Sequence, residues 1–181
     1  MSRVLSVLLL ASAAGSPLAG QATYPAAPKA DASVAAVRTI WEMMTNYVTK
    51  SAEMMPEDKY AYRPTPEVRT FGELIGHVAG AQHMICAVAL GEQPPAEDAV
   101  EKAAKTKAAL LEAMRSSTTY CAKAFAQSDA DARAPANLFG RDVTRFHALV
   151  LNATHNGEHY GNLVTYLRIN GMVPPSSQGG M

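Results

Sequence analysis

The chain has no surplus of charge of either sign. Lys and Arg together number 16, Asp and Glu together number 16, and the formal net charge is zero. The basic residues are scattered among the acids, without the clustered Lys/Arg surface that phosphate tracking requires, so nucleic acid is not an expected partner. Cysteine is scarce as well. The chain holds two, Cys86 and Cys121, with no C-x-x-C spacing, which removes the redox-motif and zinc-ribbon readings. No period-2 apolar pattern of useful length appears, so strands are not expected.

What is present begins with a leader. Arg3 supplies a positive start, Val4 to Ala14 is apolar, and Gly20-Gln21-Ala22 offers a small-x-small cleavage site. The apolar run is too short to cross a bilayer. Residues 1–22 therefore read as a secretory signal peptide, residues 23–31 as a Pro/Ala linker and residues 32–181 as a single domain long enough to bury a core. Loss of Arg3 with the leader leaves the mature chain at −1. The expected location is periplasmic or extracellular, with no membrane association after signal removal. In an oxidising compartment Cys86 and Cys121 either form a bridge or remain two buried thiols.

Apolar periodicity marks four helices. The first runs from about Ser33 to Ala52 with Val34, Val37, Trp41, Met44 and Val48 on one stripe. The second opens at Thr70, where Thr-Phe-Gly-Glu73 forms a capping box, and runs through Leu74, Val78 and Ile85 to Leu90 before Gly91. The third carries Leu110, Met114, Cys121 and Phe125 and starts either near Ala96 or at Thr106. The fourth starts near Val143, uses Phe146, Leu149, Ala153, Tyr160, Val164 and Leu167, and ends at Gly171. An all-α four-helix bundle with long crossing connections follows. Cys86 and Cys121 lie at matching depths in the second and third helices, so they are level only if those helices run parallel. A bridge and a parallel pair stand or fall together.

The most informative stretch is His155-Asn-Gly-Glu-His159. Residues at i and i+4 of a helix share a face with Cβ atoms roughly 5–6 Å apart, close enough for two imidazoles to reach one metal ion. On a helical wheel the pair lies about 100–140° to one side of Tyr160, with Asn152, Asn162 and Tyr166 on the same stripe. On the second helix His77 lies about 100° to the same side of Val78 and Glu73 about 140°. Three imidazoles from two facing helices, with an open fourth position, form a zinc site of the catalytic type. His83 falls on the opposite flank and reads as surface. His147 lies about 12 Å before His155 along the axis, too far to share a metal but able to line the mouth of a cleft.

The stretch also matches H-x-x-E-H, the inverted zinc-protease pattern. That mechanism takes a carboxylate ligand from downstream, and after His159 the chain has no Asp or Glu. The protease reading fails there.

Four blocks carry a family resemblance. They are Pro56 to Pro64 (PEDKYAYRP), Arg69 to His77 (RTFGELIGH), His155 to Asn162 (HNGEHYGN) and Leu167 to Ser177 (LRINGMVPPSS). Together they resemble the DinB/YfiT-like superfamily over essentially the whole mature domain. The resemblance implies a four-helix bundle with an up-down-down-up path and a metal held by His77, His155 and His159. The path would make the second and third helices parallel and favours the cysteine bridge. Relatives in this group include thiol-dependent transferases or isomerases and metal-dependent hydrolases. The thiol cofactors belong to the cytosol, so an export signal sits poorly with that branch.

The expectation is thus an exported metalloprotein hydrolysing a small molecule. Zinc is the default ion, with nickel or manganese also suited to imidazole. Glu73 or Glu158 would serve as orienter or proton acceptor. Alternatives are a non-enzymatic metal-binding or stress protein and a thiol-dependent S-transferase or isomerase. A homodimer is compatible.

Overall fold

The computed structural model describes residues 31–179, so the expected signal peptide and nearly all of the linker lie outside the described residues. Four long helices form the bundle: α1 (Ala32–Met54), α2 (Phe71–Leu90), α4 (Lys107–Ala124) and α5 (Arg145–Ile169). A five-residue helix α3 (Ala99–Ala103) lies in the α2–α4 connection, and a hairpin of β1 (Pro135–Leu138) and β2 (Arg141–Thr144) precedes α5.

The local signals act where they stand in the chain. Thr70 Oγ1 accepts the Glu73 N–H and Glu73 Oε2 accepts the Thr70 N–H at 2.7 Å, which closes the capping box. Thr106 and Thr144 cap α4 and α5 by accepting the N–H groups of Ala109 and His147. This selects Thr106 over Ala96 as the start of the third long helix. Two elements escaped the periodicity. The α3 turn is too short to show a stripe. The hairpin strands have four residues each, and their turn is set by positive φ at Phe139 (53°) and Gly140 (76°), the twist that suits a two-residue hairpin.

Side-chain pairings fix the helix directions. Gly72 faces Leu110, Gln82 bonds Ser117 and Cys86 bonds Cys121, so α2 and α4 run parallel. Met44 faces Gly157 and Tyr47 stacks on Tyr160, so α1 and α5 run parallel to each other. His77 meets His159 while Cys86 meets Asn152, so α2 and α5 are antiparallel. The path is up-down-down-up. Cys86 and Cys121 form a disulfide with Cα atoms 5.3 Å apart, closing a separation of 35 residues. By loop-closure entropy such a bridge stabilises by about 3–4 kcal/mol.

Helix α2 is the centre of the bundle, buried on almost every side, which explains why it is apolar enough over its length to resemble a membrane span. Two apolar clusters flank a polar layer. Trp41, Ile85, Phe125 and Leu149 pack around the disulfide; Val48, Phe71, Ile75, Val78, Met114, Leu163 and Leu167 pack at the other end. Between them the fully buried Gln82 joins all four long helices. Its Oε1 accepts from Trp41 Nε1 (2.8 Å), Thr45 Oγ1 (3.3 Å) and Asn156 Nδ2 (2.8 Å), and its Nε2 donates to Ser117 and Thr118.

Glycines on one face of α2 admit the crossing segment. A Cβ on Gly76 would lie 2.9 Å from Glu101 Cα, and one on Gly80 would overlap the Glu97 carbonyl oxygen. The backbone of residues 97–101 can therefore lie directly on the helix. Gly80→Ala is expected to lower stability by about 1–3 kcal/mol, because backbone must move. Gly161→Ala, on α5 with nothing within 4 Å of the new Cβ, should instead raise it by about 0.5–1 kcal/mol through helix propensity. Urea unfolding of the two variants checks this opposition in sign.

Candidate metal centre

His155 and His159 stand one turn apart on α5, and the antiparallel packing of α2 brings His77 between them. The three Nε2 atoms form a near-equilateral triangle: 3.1 Å from His77 to His159, 3.2 Å from His77 to His155 and 3.1 Å from His155 to His159. Among the described residues this is the one group of three His, Cys, Asp or Glu side chains placed to hold an ion. His77 and His159 are only 6% and 9% exposed, so these flanks are not solvated.

The triangle asks for a cation. An imidazole nitrogen carries in its ring plane either one hydrogen or one lone pair. Three nitrogens converging on one point cannot all satisfy each other, whereas a metal ion accepts three lone pairs at once. With metal–nitrogen bonds of about 2.0–2.1 Å, tetrahedral angles need nitrogens about 3.3–3.4 Å apart and right angles need about 2.9 Å. The observed spacing lies between, so it suits a divalent ion without selecting tetrahedral zinc over an octahedral competitor.

Burial sets the protonation state. Desolvation first, then Arg69 and the other two imidazoles, lowers the pKa of His77 to about 3. Desolvation, then His159, lowers His155 to about 4, opposed by Glu158. Desolvation and Arg69 lower His159 too. At neutral pH all three rings are uncharged and their lone pairs are free for a metal.

The opposite ring nitrogens find different partners. His77 Nδ1 faces Glu97 Oε1 at 3.6 Å and Glu101 Oε2 at 3.9 Å, both brought there by the crossing segment on the glycine face. His159 Nδ1 lies 3.3 Å from the side-chain amide of Asn162. The facing atom is Asn162 Nδ2; with Nε2 on a metal, Nδ1 would carry the ring proton, and the amide would turn its oxygen to receive it. His155 Nδ1 is buried without a hydrogen-bond partner among the described residues, beside Asn156, whose Oδ1 is likewise unpartnered.

The other sequence candidates are placed as follows. Glu73 stands one turn before His77, with its carboxylate bonded to the Thr70 N–H and paired with Arg63. Glu158 is exposed and reaches His155 through its charge. Asn152 does not enter the site: it is buried and donates to Gln82 O and Cys86 Sγ. Tyr160 is core, stacked on Tyr47. His83 is half-buried against Tyr120, and His147 is exposed on the first turn of α5. Sequence reading missed Glu97 and Glu101, which sit in a segment without periodicity. The available signal was the four-residue spacing of Gly72, Gly76 and Gly80, which marks a close neighbour on that face.

A cleft of about 680 Å³ opens at His159, lined by Pro64, Val68, Arg69, Leu74, Asn162 and Tyr166 among others. It gives a small molecule a route to the imidazole cluster.

Comparison with known proteins places the fold. The profile of the DinB superfamily matches residues 40–163. The structure is similar to a DinB-like protein from Bacillus cereus, with a TM-score of 0.67 and 17% identity over 80% of this chain and 95% of that one. It is similar to a DinB-like protein from Bacillus subtilis, with a TM-score of 0.64 and 23% identity over 81% of this chain and 99% of that one. A mycothiol-dependent maleylpyruvate isomerase also aligns, with a TM-score of 0.60 and 17% identity over 72% of this chain and 60% of the isomerase. At these identities the likeness is one of fold. A search of curated proteins found no match.

The depressed imidazole pKa values predict how the metal-free protein responds to acid. An unfolded histidine takes a proton near pH 6.5, whereas folded His77 and His155 refuse it until about pH 3 and 4. Between those values the unfolded chain binds more protons, so stability falls as pH falls from about 6.5 towards 4. Melting curves of chelator-treated protein across this window should show that slope, and His77→Gln should flatten it.

Proposed function

The chain belongs to the DinB superfamily, and on that premise we propose that it is an exported metalloprotein whose three-histidine centre hydrolyses a small molecule. The observation that carries this reading is the approach of three Nε2 atoms to within 3.1–3.2 Å of one another beside an open cleft. A metal that only fastened α2 to α5 would need no such opening.

His77, His155 and His159 would hold the ion, zinc by default and nickel or manganese by the same donor set. A divalent ion held there acidifies water and polarises a substrate oxygen, which is the chemistry of metal-assisted hydrolysis. The chain's own residues hold the rings for that task. Glu97 and Glu101, 3.6 and 3.9 Å from His77 Nδ1, are the carboxylates that would draw the ring proton to that side and leave Nε2 for the ion. Asn162 holds the His159 ring from the cleft wall. Glu158, exposed and acting on His155 through its charge, would serve as the proton acceptor; Glu73, engaged in its cap, steadies the start of the helix that carries His77.

Export rests on the leader sequence. The Cys86–Cys121 disulfide supports it, since such bridges persist in oxidising compartments. Mass spectrometry of the secreted product is expected to find Thr23 as the first residue, and retention of the leader in a cytosolic product would restore the thiol-dependent alternative.

Elemental analysis tests the centre. His77→Ala, His155→Ala and His159→Ala should each lose most of the bound ion. Glu101→Gln should keep the fold and lower metal affinity about 10–100-fold. Against a panel of small esters, lactones and amides, the loaded wild type should show turnover that chelation abolishes and the added ion restores. Loss of melting temperature on chelation with no turnover on any substrate would make the metal a structural fastener instead.

A further inference from the structure

The cleft beside His159 has chemically distinct walls. Pro64, Val68, Leu74 and Tyr166 give it an apolar body, and Arg69 is the cation in its lining. Arg69 is held at two points. The Tyr166 hydroxyl donates to its backbone carbonyl at 2.6 Å, and its Nε–H donates to Glu101 Oε1 at 3.0 Å. The pairing with Glu101 is side-on. It uses Nε and leaves both Nη groups without a hydrogen-bond partner among the described residues, on a side chain 43% exposed. A guanidinium fixed at its stem, on a residue that lines the cleft and with its outer fork unpartnered, is pre-organised to receive a planar anion through two parallel hydrogen bonds.

We propose that Arg69 anchors a carboxylate of the substrate, so that the cleft takes small carboxylic acids whose reacting bond is turned towards the histidines. The identity of the reacting end rests on the hydrolase reading above; the anchoring end does not. Several features favour a carboxylate over a phosphate. The N–H groups of Phe71, Gly72 and Glu73 at the start of α2 are already bonded, to Tyr62 O, Tyr60 O and Thr70 Oγ1, so no anion nest is available. Glu67 and Glu101 line the same cleft and would repel a dianion. One guanidinium fork matches one singly charged carboxylate.

The test compares butyrate with butyramide, which share shape and differ in charge, by amide chemical-shift titration of metal-free and zinc-loaded protein. Butyrate should bind the metal-free protein and shift the resonances of Asn162, Thr165 and Tyr166, while butyramide at equal concentration should not. Arg69→Gln should weaken butyrate binding roughly tenfold or more, the loss expected when a charged hydrogen-bonding partner is removed. Arg69→Lys should recover part of it. The Tyr166 bond goes to the main chain, so these substitutions leave it in place. Equal binding of butyramide would overturn the proposal, and so would butyrate affinity unchanged in Arg69→Gln. Binding that appears only with zinc and is indifferent to Arg69 would overturn it too, because the carboxylate would then sit on the ion. Absence of metal binding or turnover would sink the hydrolase reading while leaving butyrate binding to the metal-free protein intact.

Discussion

The register between α2 and α5 is the constraint on which the centre depends, and the buried layer around Gln82 sets it. Apolar side chains tolerate sliding, because burial energy has no direction. Gln82 does not: its two ends are bonded to Trp41, Thr45, Asn156, Ser117 and Thr118 on three other helices. A slip of α5 along α2 would break the bonds of Asn156 to Gln82 and Thr45 and of Asn152 to the Gln82 carbonyl, leaving buried polar groups unpaired at about 1–3 kcal/mol each. His77 lies just over one turn before Gln82, and Asn156 sits between His155 and His159. The same hydrogen bonds that unite the four helices therefore bring the three imidazoles to one point. The disulfide adds a second pin between α2 and α4 at the far end of the helix.

Helix α2 serves two neighbours with adjacent faces. One face carries His77 towards α5. The other presents Gly72, Gly76 and Gly80, whose missing side chains let the crossing segment rest on the helix and deliver Glu97 and Glu101 to the outer nitrogen of His77. The backbone contact and the carboxylate contact are consequences of one packing choice. Burial then does the electrostatic part. It holds all three rings neutral at physiological pH, and Arg69 on the cleft side adds to that effect at His77 and His159. The result is a set of lone pairs ready for a cation, with negative charge behind one ligand and a positive charge in the cleft beyond.

Much of this was legible in the sequence because it is local. The Thr70–Glu73 capping box, the left-handed glycines after α2 and α5 and the i, i+4 spacing of His155 and His159 depend on a few neighbouring residues. The apolar stripes on the long helices were legible for the same reason, since each helix buries a continuous face. Elements without a stripe were not: α3 is little more than one turn, and the β1–β2 hairpin is too short for alternation to register. The polar residues on the stripes were the least readable. Asn152 and Asn162 share one flank of α5 by angle, yet Asn152 is buried against the disulfide while Asn162 reaches His159 at the cleft. Angle around a helix does not say which neighbour a side chain meets at a given height.

The amino-acid sequence by itself determined the helical elements, their caps and the two imidazoles of α5, because backbone hydrogen bonding and side-chain periodicity act within a few residues. It also supplied His77 on a matching flank and a family resemblance that gives the chain path. Only the tertiary structure decided that Cys86 meets Cys121, that Glu97 and Glu101 rather than residues near the histidines in sequence stand behind His77, and that Arg69 faces the cleft. Those juxtapositions join residues far apart along the chain, and they exist only once the glycine face, the buried glutamine layer and the parallel α2–α4 pair have fixed how the helices pack.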